Sequence, residues 1–178
     1  MTLEQLREEI PEYAKDLRLN LSNAMRQTEL TERQLWGTAV ACALASHNAR
    51  HYAAVLHDAA EHLDETTLNA AKSAAAIMGM NNIYYRFIHL ASNESYASMR
   101  AGLRMNAIRT HGVAQEDFEL WSLTVSAING CGSCIDSHER VIREKGMSEA
   151  AVQAAVRIAS ILYAVARVLD AEQAVAAA

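Results

Sequence analysis

Apolar and small residues recur along most of this chain at helical spacing. After Thr31, the positions Leu35, Ala39, Cys42 and Ala43 fall on one side of a helix. The flanking residues punctuate the pattern. Thr31 with Gln34, and Thr2 with Gln5, read as capping boxes, in which a side-chain oxygen and a glutamine satisfy the free backbone groups of a first turn. Pro11 suits the first turn of a second helix. Thr67 is predicted to open a helix that runs to about Met78. Gly112 is predicted to act as a helix stop after Ile108. Gly146 ends a further helix, and Ser148 then caps a long alanine-rich last one. No strand pattern and no long linker interrupts the series. The expectation is an all-α, single-domain bundle of roughly eight helices over residues 1–178.

A weak internal repeat is visible. Trp36-Gly37-Thr38-Ala39-Val40 can be laid on Trp121-Ser122-Leu123-Thr124-Val125, which sets Ser46 against Cys131 and Ala49 against Cys134. Thr67 and the residues after it then match Ser148 and its successors. The two halves read as copies of one helical unit, with a cysteine pair only in the second.

Composition supports helices. Apolar residues make up 51% of the chain, but aromatic ones only 6%; much of the remainder is alanine, and one proline and seven glycines leave few breakers. The net charge of -5 is mild and the basic residues form no stripe, which argues against a nucleic-acid partner. No apolar run is read as approaching membrane-span length, and Met1 to Ile10 is charged rather than signal-like. A cytoplasmic setting is expected. There a close cysteine pair is more often catalytic or metal-binding than structural.

That pair is Cys131-Gly132-Ser133-Cys134. Residues three apart share a helix face, so the two thiols can close a disulfide across one turn. Asn129-Gly130 breaks the preceding helix, and Ile135 to Lys145 reads as helical, so the pair sits at a helix start, where the positive end of the dipole stabilises a thiolate. His138 follows Cys134 by four residues and Cys131 by seven, on the same face, where an imidazole can exchange protons with a thiol. Glu119 lies near the start of the preceding helix and can act as the histidine's carboxylate partner, although taken alone it reads as a solvated helix charge. One metal alternative is a zinc set of Cys131, Cys134, His47 and His51. His47, His51, His57 and His62 otherwise read as packing or surface residues, and Cys42 as a small buried one. The Met78-Gly79-Met80 and Tyr84-Tyr85-Arg86-Phe87 runs suit core or subunit contacts, and an apolar pocket near the dithiol can draw on Tyr84, Tyr85 or Phe87.

The pattern of Glu119, eleven intervening residues, Cys131-Gly132-Ser133-Cys134, three residues and His138 resembles the alkyl hydroperoxidase D family, within the carboxymuconolactone decarboxylase-like superfamily. The resemblance covers most of the chain. It implies an all-α homotrimer in peroxide defence that reduces a partner peroxiredoxin, alkyl hydroperoxide reductase C. Electrons would come from dihydrolipoamide on the lipoyl-bearing component of a 2-oxoacid dehydrogenase, with no bound cofactor or metal, and weak direct peroxidase activity would accompany this. Glu119, Cys131, Cys134 and His138 would form the thiol and proton-relay group. The best-known version has histidine where this chain has Ser133. Helix-terminus physics favours Cys131 as the attacking thiol, whereas the resemblance favours Cys134, with Cys131 resolving. Two other readings remain: a redox-switch or interaction protein without turnover, and a decarboxylase-type member of the superfamily, which would not need both cysteines.

Overall fold

A computed structural model describes residues 1–176, and every regular element in them is helical. The helices are α1 (Leu3–Glu8), α2 (Lys15–Ala24), α3 (Glu32–Ala45), α4 (Ala49–Ala59), α5 (Glu65–Leu90), α6 (Ser95–Ser98), α7 (Gln115–Ile128), α8 (Gly132–Glu144) and α9 (Glu149–Ala176). That makes nine among the described residues where the sequence suggested about eight; the additional one is the single turn of α6, in the exposed stretch between α5 and α7.

The predicted caps form. Thr2 and Thr31 each complete a capping box with Gln5 and Gln34, and the Ser148 hydroxyl accepts the Ala151 N–H at 3.1 Å. Pro11 precedes a single tight turn, Glu12–Ala14, that leads into α2. The start and end expected for α5 are corrected. Asp64, not Thr67, is its cap: the Asp64 carboxylate accepts the Thr67 N–H at 2.7 Å, and the helix continues past Met78 to Leu90. Nothing after Met78 is a strong breaker. Gly79 alone costs a helix about 1 kcal/mol relative to alanine, too little to end one held by packing.

The centre of the bundle is α3 against α7. Both run almost wholly buried, α5 and α9 pack on the pair, and α4 and α8 cover its ends. Glycine and alanine permit the close approach. A Cβ on Gly37 would lie 2.3 Å from two ring carbons of Trp121, whose fully buried indole fills the space above Gly37. At the outer end, the buried Asp117 carboxylate accepts from Gln34 Nε2 at 2.9 Å and pairs with Arg33 Nε at 2.7 Å, which ties the starts of α3 and α7 together.

The internal repeat takes a different register from the one suggested by the tryptophans. α3 and α7 are both 14 residues long, and aligning their ends sets Ser46 against Asn129, His47 against Gly130, Asn48 against Cys131 and His51 against Cys134. Backbone geometry supports this alignment: His47 (φ 60°) and Gly130 (φ 68°) are both left-handed, and Asn48 and Cys131 are both N-caps. Trp36 then matches Glu119 rather than Trp121. Caps and left-handed turns fix the register of a helical hairpin, whereas matching aromatic residues in alanine-rich helices do not.

The last helix is more apolar than the sequence reading allowed. α9 is long enough, and has high enough mean hydropathy (1.5), to cross a membrane, but half of its apolar window is buried in the bundle, where it packs on α2, α3 and α7.

Two consequences can be measured. Gly37→Ala should destabilise the fold by about 1–3 kcal/mol or more in urea titration, because the new methyl overlaps the Trp121 ring, whereas Gly79→Ala, with open space around it, should be neutral or stabilising. His51 is fully buried, neither ring nitrogen has a hydrogen-bond partner among the described residues, and burial pushes its pKa down to about 4. Between about pH 6.5 and 4 the unfolded chain therefore takes up a proton that the fold refuses, so stability should fall by roughly 2–3 kcal/mol over that window. His51→Leu should flatten this part of the thermal-melting profile against pH, and an unchanged slope would show that other groups set it.

Candidate active site

The site is built on the turn between α7 and α8. Gly130 adopts the left-handed conformation that a side chain disfavours. It allows the Gly130 N–H to bond Ala127 O (3.2 Å) and the Cys131 N–H to bond Ser126 O (3.0 Å), the paired bonds that close a helix C-terminus. The chain then reverses at once, and Cys131 becomes the N-cap of α8, with Cys134 in its first turn. A buried polar chain fixes the turn to α5: Asn129 Nδ2 donates to Asn82 Oδ1 (3.0 Å), Asn82 Nδ2 to Ser126 Oγ (2.8 Å), and Ser126 Oγ to Ser122 O (2.8 Å).

Cys131 and Cys134 are joined as a disulfide, with Cα atoms 5.3 Å apart. Their environments differ. Cys131 is fully buried, and Ser133 Oγ lies 3.7 Å from its sulfur. Cys134 borders a cavity of about 380 Å³ between α5, α7, α8 and the residues before α7. His138 and Glu119 border it too. His138 Nδ1 donates to Glu119 Oε2 at 2.5 Å, and both side chains are nearly buried. Glu119 is therefore no solvated helix charge. Its position on α7 faces α8, and the imidazole is its partner. His138 makes no hydrogen bond to either sulfur among the described residues; its Nε2 instead lies 3.2 Å from Met78 Sδ. Met78 and Tyr85 of α5, with Met105 and Ile108 of the incoming segment, give the cavity its apolar wall, and Asn81 of α5, Ser133 and Ser137 make it polar elsewhere.

This constellation of Glu119, two cysteines in a helical turn and His138 can be set beside known proteins. The carboxymuconolactone decarboxylase family matches residues 94–177, the half that carries the site. An alkyl hydroperoxide reductase AhpD of Solibacter usitatus is 60% identical over 97% of this chain and 97% of its own length. One from Acidobacterium capsulatum is also 60% identical, over 97% and 95%, and one from a Bradyrhizobium species is 56% identical, over 96% and 94%. The chain belongs to the AhpD family.

Membership of the AhpD family places the chain among peroxide-related oxidoreductases. Within it, the four residues singled out from the sequence converge, but unequally: Glu119, Cys134 and His138 share the cavity, and Cys131 lies beneath it. Of the aromatic candidates, Tyr85 borders the cavity, and Tyr84 and Phe87 do not. The zinc set is not assembled: no group of three or more histidine, cysteine or acidic side chains suited to a metal occurs among the described residues. His47 and His51 belong to the other repeat unit. His57 pairs with Asp58, and His62 pairs with Glu32 and stacks on Trp36. Sequence reasoning missed Met78 as a neighbour of His138, together with Asn81, Met105, Ile108, Ser137 and Val141. Helical spacing from His138 signals Ser137 and Val141 only weakly, and nothing local signals the others.

Cys42 is fully buried, and burial pushes its thiol up to about 12, offset in part by a hydrogen bond with Thr124. After reduction, a mass-spectrometric time course of alkylation at neutral pH should therefore label Cys134 first and Cys131 more slowly. Cys42 should react only on unfolding, and labelling of Cys42 as fast as Cys134 would contradict the arrangement.

Proposed function

We propose that this protein is a thiol–disulfide antioxidant enzyme that reduces a peroxiredoxin of the alkyl hydroperoxide reductase C type with electrons from dihydrolipoamide. The observation that carries the reading is the inequality of the two sulfurs: Cys134 opens on a cavity shared with the Glu119–His138 pair, and Cys131 is sealed behind it. A buried resolving thiol and a reachable attacking thiol are what a two-step exchange needs. The same asymmetry favours Cys134 as the attacker, over the preference for Cys131 suggested by helix position alone.

In the first half-cycle the Cys134 thiolate attacks one sulfur of the oxidised peroxiredoxin and displaces the other as a thiolate. Cys131 then attacks Cys134, releases the second peroxiredoxin thiol and closes the Cys131–Cys134 disulfide. In the second half, one thiolate of dihydrolipoamide attacks Cys134 and frees Cys131; its second thiol displaces Cys134 and leaves lipoamide oxidised. Two electrons and two protons pass from dihydrolipoamide to the peroxiredoxin. Direct reduction of a hydroperoxide follows the same path, with a Cys134 sulfenic acid and an alcohol formed first and water lost when Cys131 closes the bond. His138 supplies and recovers the protons that leaving thiolates need, and Glu119 orients its ring. The first-turn N–H groups of α8 stabilise negative charge on sulfur. No step requires a bound metal or organic cofactor.

The setting follows from the same reading. A lipoyl-bearing 2-oxoacid dehydrogenase component would deliver the dithiol, in the cytoplasm. Assembly as a homotrimer is supported by the apolar surface at the end of α5, where Ile83, Phe87 and Leu90 are more than half exposed. A decarboxylase role leaves the Cys131–Cys134 pair without use.

The test is an NADH-coupled assay with dihydrolipoamide dehydrogenase, lipoamide and a peroxiredoxin. Cys134→Ser should abolish turnover. Cys131→Ser should accumulate a mixed disulfide on Cys134, visible by intact-mass spectrometry. Glu119→Gln, which keeps the side chain's shape and a hydrogen-bonding oxygen, should lower kcat by roughly ten- to a hundredfold while the protein stays folded, with only a modest drop in melting temperature. Wild-type protein that moves no electrons from dihydrolipoamide to peroxiredoxin or hydroperoxide would overturn the reading in favour of a redox switch.

A further inference from the structure

His138 is held from both sides. Its Nδ1 faces the Glu119 carboxylate at 2.5 Å, and its Nε2 faces the Met78 thioether at 3.2 Å. A carboxylate and a thioether are both acceptors, so this arrangement is satisfied when both ring nitrogens face them as N–H groups. Met78 is itself fixed. It is almost wholly buried on α5, and Asn82 Nδ2, which donates to Ser126 Oγ, lies 3.9 Å from the same sulfur. The sulfur also borders the cavity onto which Cys134 opens. The titratable groups around that cavity are Glu119 from α7, Cys134 and His138 from α8 and Tyr85 from α5; the segment before α7 contributes the apolar Met105 and Ile108.

We propose that Met78 is a positioning residue for proton transfer: its thioether receives the Nε2–H of His138 while the disulfide is closed, and gives it up when a leaving thiolate forms in the cavity as Cys134 exchanges partners. This rests on the role given to His138 above and adds the residue that holds its reactive proton. A thioether suits the task because it is a weak acceptor. It orients the Nε2–H without competing for the proton. When a dihydrolipoamide thiolate bonds to the Cys134 sulfur, the Cys134–Cys131 bond breaks and its electron pair stays on Cys131; when the second dithiol sulfur then closes lipoamide, the Cys134–lipoyl bond breaks, its electron pair stays on Cys134, and the Nε2 proton moves to neutralise the charge developing on that cavity-facing sulfur. The Nδ1–H stays on Glu119 throughout. Without an acceptor at Met78, the ring keeps its Glu119 bond but loses the contact that fixes where its second proton points.

The test compares wild type, Met78→Leu and Met78→Gln. Leucine keeps the apolar bulk and removes the acceptor; glutamine restores an acceptor oxygen on a chain of similar length. Nitrogen-resolved NMR of the disulfide-closed protein, with His138 assigned through a His138→Gln variant, should show an Nε2-bound proton in the wild type. That proton should exchange with water about tenfold faster or more in Met78→Leu, and at close to the wild-type rate in Met78→Gln. In the coupled assay, Met78→Leu should lower kcat roughly three- to tenfold with KM for the dithiol little changed, and Met78→Gln should recover most of the loss. Unchanged exchange and kcat in Met78→Leu would overturn the proposal. So would a Met78→Gln protein that melts like the wild type yet shares the leucine variant's loss, because that pattern marks a packing role. If the exchange pattern appears as expected but no protein, wild type included, turns over dihydrolipoamide, the peroxide cycle falls and the hold of Met78 on His138 stands.

Discussion

The left-handed turn at Gly130 is the constraint on which the site depends. Only Asn129, Gly130 and Cys131 separate the end of α7 from the start of α8, and the chain must reverse within them, or the two sulfurs would not sit together at the start of a helix that packs back on α7. Gly130 supplies the backbone angle, and the paired bonds to Ala127 and Ser126 satisfy the carbonyls that α7 leaves free. The Asn129–Asn82–Ser126 chain then holds the turn against α5. Because α5 carries Met78 as well as Asn82, the element that braces the turn also presents the sulfur that meets His138. The position of the cysteines and that of the histidine ring are set by the same packing.

The pairing of Glu119 with His138 follows from burial. A carboxylate this far from water requires a partner, since an unpaired buried charge costs several kcal/mol. The nearest helix that can supply one is α8, and four residues past Cys134 the imidazole reaches it. The interaction therefore holds α7 to α8 and also aims the imidazole at the cavity, so stability and chemistry draw on the same contact. Removing His138 would strand Glu119 as well as remove the imidazole to which a proton-relay role is proposed. For that reason a conservative change at Glu119 separates the two roles more cleanly than a change at His138.

Much of this was legible in the sequence, because the signals were local. Capping boxes at Thr2 and Thr31, the glycines at 130 and 146, and alanine-rich periodicity marked the helices, and the spacing of Cys131, Cys134 and His138 placed them on one helix. What escaped was non-local. Asp64 displaced Thr67 as a cap because either residue can serve and only the folded chain selects one. Glu119 read as a surface charge because burial depends on what covers α7. Met78 had no signal at all: a methionine at helical spacing suits any core, and its contact with His138 joins residues 60 apart in sequence. The wall formed by Met105 and Ile108 comes from a stretch whose path no periodic pattern specifies.

The two repeat units show how one turn can serve two ends. In the first, Asn48 occupies the cap position: its side chain accepts the His51 N–H at 2.8 Å and donates to Asp170 of α9 at 2.7 Å, so the start of α4 is satisfied and tied down. An N-cap of this kind contributes about 1 kcal/mol. In the second unit the matching residue is Cys131, whose side chain makes no capping bond among the described residues. Where the first unit places the buried, unpartnered His51, the second places Cys134 on a cavity. Where the first places Trp36, stacked on His62, the second places Glu119. At the cap position the second unit gives up a side-chain capping bond for a sulfur, and at the other two it places Cys134 and Glu119 beside the cavity. The Asn82 network and the α3–α7 core make this possible, because they hold the turn in place without help from its own cap.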